Sequence, residues 1–268
     1  MPITKQRFTP VPEIPSAFSR MKLGIPHPVD LLFDHLHLVR PYIGGMVEIP
    51  ERLPWLAFFH GGDGLWKATG STARPPAPLG GVMVLGNNFQ CVANFQALKE
   101  KGEEDLRKDA TWRSLLALLQ TVDLHPSRCF FTNAFMGLVD GDDPTRSVPG
   151  MRDAGFVNRC RSFLLIQLQT LQPKVILALG SKVPAFLAPL SDDLGHWCNA
   201  RRWSEIDRND AGVTVGVELP GLDHPVSIAC LLHPSFRGPN LRRRSFGGLT
   251  EAAAEDSKLW EPCVETTL

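Results

Sequence analysis

The sequence predicts an α/β fold, a three-layer α/β/α sandwich around a central, mainly parallel sheet of four or five strands. Two observations predict it. Short, near-continuous apolar runs at 81–86, Cys129–Phe135, Lys174–Gly180 and Val226–Leu232 read as strands buried on both faces. Amphipathic stretches separate them, and that alternation is the order that yields a parallel sheet covered by helices.

Each element follows from its local pattern. Pro28–Arg40 has the apolar spacing of a short amphipathic helix. Its two histidines, His35 and His37, are two residues apart and do not face each other on a helix, so no metal site is expected there. Trp55–Trp66 is aromatic and glycine-rich, and Gly70–Pro78 reads as a proline-rich connector. Residues 1–78 are therefore expected to be a helical or irregular extension packed on a core domain spanning 79–268. In that core the first strand, 81–86, runs into a loop, and a helix follows from about Asp105 to Gln120. After the strand Cys129–Phe135 comes a long helix, about Asp153–Leu171, with apolar residues at Phe156, Cys160, Phe163, Leu164, Ile166 and Leu168. The strand Lys174–Gly180, a short helix near Lys182–Leu190, strands near Val213–Val217 and Val226–Leu232, and a helix near Gly248–Leu259 complete the pattern.

Bulk properties bound the function. With 268 residues, 43% hydrophobic and 21% charged, the chain can bury a substantial core. Lys plus Arg and Asp plus Glu are both 28, so an anionic partner has to be met by a local patch and not by net charge. The six cysteines include no CxxC pair and no secretory leader precedes them, which predicts a reduced cytoplasmic protein with cysteines packed as small hydrophobes. No apolar run approaches the roughly 18 residues of a membrane span.

The residues able to carry chemistry cluster at strand ends. Gly86 opens neither a dinucleotide fingerprint nor a phosphate loop, which removes two common α/β functions. Asn87, Asn88 and Gln90 instead offer neutral amides, able to hold a water or a base edge, or simply to cap a turn. Asn133 stands inside an apolar strand, where a carboxamide either reads the edge of a flat heterocycle or bonds a neighbouring loop. His233-Pro234-Ser235 ends the last core strand, with Pro234 fixing a turn. Phe236 and four arginines, Arg237, Arg242, Arg243 and Arg244, follow directly. They are either solvated surface or a loop that grips phosphates and wedges into a base stack.

Taken in order from about Gly81 to Arg244, these segments resemble the uracil-DNA glycosylase superfamily. Gly86-Asn87-Asn88 resembles its first motif, Phe131-Thr132-Asn133 its base-reading strand, Leu171–Gly180 its next strand, and His233-Pro234-Ser235 its last motif. The resemblance implies a monofunctional DNA glycosylase that flips a nucleotide out of the stack and hydrolyses its N-glycosidic bond, leaving an abasic site. It assigns His233 to the departing pyrimidine oxygen, Asn88 and Asn87 to the attacking water, and Asn133 with Gly86 to the base. Phe89 or Phe95 would stack on that base, and Ser235, Phe236 and the four arginines would meet DNA.

Departures from the family pattern matter as much. Phe89 replaces the motif proline, Asn88 stands where the most active uracil-specific group has an aspartate, and Gln90 replaces the tyrosine that walls off pyrimidine C5. The expected substrate is thus uracil or a C5-modified pyrimidine, in repair or in antiphage defence against modified DNA. Asp142 and Asp143 are either hydrogen-bond partners for a polar C5 substituent or solvated loop. Only Cys160 falls where iron–sulfur members have a ligand, so no cluster, metal or other cofactor is expected, and the protein is expected to act on DNA as a monomer. The alternative is a non-catalytic nucleic-acid or nucleotide-binding module of the same fold, since a fold does not guarantee its chemistry.

Overall fold

In the computed structural model, residues 27–49, 76–100, 109–143 and 147–265 are described. The elements in chain order are α1 (Pro28–His35), β1 (Met46–Val47), β2 (Val82–Asn88), α2 (Val92–Glu100), α3 (Ala110–Gln120), β3 (Cys129–Phe135), β4 (Leu138–Val139) and α4 (Ala154–Leu171). They continue with β5 (Val175–Leu179), α5 (Val183–Leu187), β6 (Val213–Val217), β7 (Val226–Leu231), β8 (Ser245–Phe246), β9 (Leu249–Thr250) and α6 (Glu251–Glu265).

The apolar runs pair into one five-stranded sheet in the order β3-β2-β5-β7-β6. All neighbours are parallel except β6, which closes the edge antiparallel to β7. Because side chains alternate along a strand, each run supplies both faces. Met83, Leu85, Phe130, Ile176 and Ile228 face a core shared with α1 and α4. Val84, Phe131, Leu177, Ala229 and Leu231 face a second core, shared with Trp112, Leu115 and Leu119 of α3 and with Leu259 of α6. The result is the expected α/β/α sandwich.

The helix starts are set by aspartates. Asp109 Oδ1 accepts from the Thr111 and Trp112 amides at 2.9 and 3.1 Å, and Asp153 Oδ1 from the Phe156 amide at 2.5 Å. α4 stops at Gln172, which turns into the left-handed region with φ 47° ahead of Pro173.

Two boundaries differ from the sequence reading in ways that shape the site. β2 continues two residues past Gly86, pairing Asn88 with Phe135, so the expected loop residues Asn87 and Asn88 belong to the strand. α2 occupies a stretch expected to be loop, and its buried Phe95 is the anchor. Of the expected extension 1–78, only 27–49 and 76–78 fall within the described residues. There Val29, Leu32 and Met46 pack into the α4-side core, and Arg159 of α4 donates to the main-chain oxygens of Val39 and Pro41. The start of the 105–120 helix and the Trp55–Trp66 segment lie outside the described residues.

The chain leaves β2 for β3 on one side and returns to β5 on the other. The carboxyl ends of β2 and β5 therefore flank a switch point, where the two connections diverge and open a crevice.

Candidate functional site

A cleft of about 1330 Å³ opens at that edge. Its wall combines the ends of three parallel strands: Asn87 and Asn88 of β2, Leu179 of β5 with Gly180 to Lys182 after it, and Leu232 and His233 after β7. Gly180 makes the middle turn possible. Its φ is +92°, a conformation L side chains rarely adopt, and a Cβ there would lie 3.6 Å from the His233 Cβ.

The two asparagines form a unit. Asn87 Nδ2 donates to Asn88 Oδ1 at 2.8 Å, which fixes the Asn88 carboxamide and leaves its amide free, while Asn87 Oδ1 is buried without a partner. Gln90, also on the wall, holds a left-handed backbone (φ 65°). Its main-chain oxygen accepts from the Val139 amide at 2.8 Å and its side-chain oxygen from Asn94 Nδ2, so the residue is tied to α2 and β4.

His233 is held as a neutral donor. The Ser235 amide donates to its Nδ1 at 3.3 Å, so the neutral ring carries its proton on Nε2. Burial pushes its pKa below the ordinary 6.5, and the Asp109 carboxylate opposes that shift. Asp109 sits at the amino end of α3, which docks on the His-Pro-Ser turn through a 2.5 Å bond between Thr111 Oγ1 and Ser235 Oγ. Phe236, 63% exposed, has its ring 5.9 Å from the imidazole.

Charge around the cleft is one-sided. Lys182, Arg201, Arg202, Arg242 and Arg243 line it, and among the described residues no aspartate or glutamate does. The chain is formally neutral, so the anions are placed elsewhere. Lys182, Arg201 and Arg202 carried no sequence signal: they are scattered basic residues until the fold brings them together.

A cleft at the switch point of a parallel sheet, with an Asn on one strand exit and a His on another, defines the site. The family model of the uracil DNA glycosylase superfamily matches residues 107–255, more than half of the chain. The chain belongs to the uracil-DNA glycosylase superfamily. A glycosylase-type function on DNA is the function of this superfamily, and the match spans the middle strand, the His-Pro-Ser turn and the arginine loop. It begins after Gly86-Asn87-Asn88. The search of curated proteins finds no match.

Several expectations need correcting at this resolution of detail. Phe89 and Phe95 are 0% and 4% exposed, packed in the α4-side core and absent from the cleft wall, so neither offers a face to a base. Arg244 borders the cleft but has no free guanidinium for a phosphate: it is 2% exposed and bonds Asp207 at 2.8 and 3.0 Å and the Cys230 oxygen at 2.6 Å. Arg237 is drawn to Asp256 of α6 and does not line the cleft. Asn133 pairs with Gly86 in the β2–β3 ladder, is 3% exposed, and lies behind the wall rather than on it. Asp142 and Asp143 are exposed and also off the wall. Asn87, Asn88, Gln90, His233, Ser235, Phe236, Arg242 and Arg243 do converge on the one cleft.

Among the described residues no group of three or more His, Cys, Asp or Glu side chains is placed to hold a metal ion. No described helix is long and apolar enough to cross a membrane.

Proposed function

We propose that the protein is a monofunctional DNA glycosylase that hydrolyses the N-glycosidic bond of a flipped-out pyrimidine, uracil or a C5-modified base, and leaves an abasic site. The observation that carries this reading is the convergence of Asn88 and a neutral His233 across one cation-lined cleft. A base inside a duplex is out of reach of either, so the nucleotide has to be extruded first.

In the proposed reaction the electron pair of the C1′–N bond leaves with the base, and negative charge grows on the pyrimidine oxygen. The His233 Nε2–H donates to that oxygen. A neutral imidazole does this without giving up its proton, in the manner of a fixed oxyanion donor. A water held by the Asn88 carboxamide bonds C1′ through its oxygen, and its proton balances the anionic base. Asn88 carries no charge to steady the sugar cation, so the reaction leans on His233. The C5-modified branch, with its antiphage setting, is supported by Gln90 standing where a blocking tyrosine would be and by its side-chain oxygen accepting from Asn94 Nδ2, which draws the side chain toward α2.

The test is a panel of uracil-, thymine-, hydroxymethyl- and glucosyl-modified DNA, single- and double-stranded, with alkali cleavage of abasic sites as readout. Cleavage on at least one substrate is expected. His233→Ala and Asn88→Ala should then each lower the rate by about 10²–10³-fold, while DNA binding persists. A second reading, a non-catalytic nucleic-acid-binding module, is favoured by the absence of a carboxylate from the described cleft wall and by a first motif outside the family match. Binding with no product on any substrate would establish it.

A further inference from the structure

Two stretches that are 41 residues apart in sequence meet at one rim of the cleft, joined by a buried hub. Arg244 stacks its guanidinium 4.1 Å over the Trp203 ring and bonds both carboxylate oxygens of Asp207. Its Nη1 lies 2.7 Å from Glu255 Oε2, a charge contact without hydrogen-bond alignment. Lys258 reaches Asp207 Oδ1 at 2.6 Å, completing a neutral set of two anions and two cations. The side chains of this set are at most 1% exposed. Buried opposite charges arranged this closely hold their segments in one geometry, because separating any of them strands a charge in a low-dielectric core.

The residues beside the hub point the other way. Arg242 and Arg243 immediately precede Arg244, Arg201 and Arg202 immediately precede Trp203, and all four are exposed and line the cleft. Glu205 Oε2 accepts the Arg201 and Arg202 amides at 2.7 and 3.0 Å, pinning the backbone of that arm, and its charge is felt by the Arg202 guanidinium without a direct ion pair. We infer that Arg201 and Arg202 form the second arm of a phosphate clamp whose first arm is Arg242 and Arg243, with the Arg244–Trp203 hub setting the spacing between them. The partner is the phosphate backbone of a nucleic-acid strand lying along the cleft. A planar guanidinium takes a phosphate in bidentate fashion, and among the described residues that line the cleft there is no carboxylate. The proposal rests on the nucleic-acid half of the reading above and is independent of catalysis.

The test is the salt dependence of binding to a labelled, unmodified oligonucleotide, measured by fluorescence anisotropy. Each phosphate contact steepens the plot of log K against log salt by about 0.9 on duplex DNA, so Arg201→Ala/Arg202→Ala should flatten it by about 1.8. Arg242→Ala/Arg243→Ala should do the same, and the fourfold variant should show the sum. Arg201→Lys/Arg202→Lys should keep the wild-type slope, and all variants should melt as the wild type does, since the side chains are exposed. A wild-type slope in Arg201→Ala/Arg202→Ala overturns the clamp and leaves the glycosylase reading untouched. Flat binding by the wild type overturns it too. Salt-dependent binding that responds in both arms, with no abasic product on any DNA, keeps the clamp and removes the glycosylase.

Discussion

His233 draws its chemistry from position. In the sequence it is one histidine of eight; in the fold its Nδ1 is taken by the Ser235 amide and its ring is desolvated. The pKa direction has two consequences. If the neutral ring is the working form, the rate should be level from pH 8 down past 6.5 and fall only below that, and a pH–rate profile checks this. Asp109 lifts the imidazole toward its ordinary value, so Asp109→Asn should move the acid limb to still lower pH while keeping the α3 cap, because asparagine caps as well as aspartate. Stability follows the same sign. A histidine lowered in the folded state binds fewer protons than in the unfolded chain between the two pKa values. Its contribution is thus present above 6.5 and lost as pH falls through the lowered value.

At the scale of elements, the end of β7 is braced by α6. Glu255 Oε1 accepts the Leu232 amide at 2.5 Å, one residue before His233, while its other oxygen faces Arg244. Burial raises the Glu255 carboxyl, and Arg244, the Leu232 amide and Lys258 oppose that rise. Glu255→Ala should cost about 3–5 kcal/mol in urea denaturation, since it leaves Arg244 and the Leu232 amide unmet in the interior. Glu255→Gln keeps an acceptor for that amide and should cost less. The brace also explains Gly212: a Cβ there would come within 2.6 Å of Asp207 Oδ1 and 2.9 Å of Lys258 Cε, so any larger residue collides with the charge set. None of this was legible in the chain, where Asp207, Glu255 and Lys258 carry no signal and Arg244 reads as one of four arginines of a single loop.

For the whole molecule, neutrality hides segregation. The chain carries equal numbers of cations and anions, yet the described cleft wall has only cations. The protein should therefore be retained on heparin at pH 8, where it has no net positive charge, and elute at moderate salt; the fourfold arginine variant should pass through early. The sheet itself could be read from the sequence, because strands buried on both faces need continuous apolar runs and 129–135, 174–180 and 226–232 supply them almost to the residue. The glycine-asparagine and His-Pro-Ser strand ends could be read for the same reason, since each follows such a run. The side-chain environments could not. Arg242, Arg243 and Arg244 are identical letters, and only the packing of α6 and Trp203 decides that two face solvent and one fills the interior. Phe89 and Phe95 likewise became core rather than base-stacking surface once β2 and α2 were placed. By itself, then, the sequence determined the α/β/α layers, the strand order's raw material and the resemblance to a glycosylase, because these rest on local periodicity and short motifs. The tertiary structure alone decided which charges are buried, which are gathered at the cleft and which state His233 holds, because desolvation and charge pairing act between residues far apart in the chain.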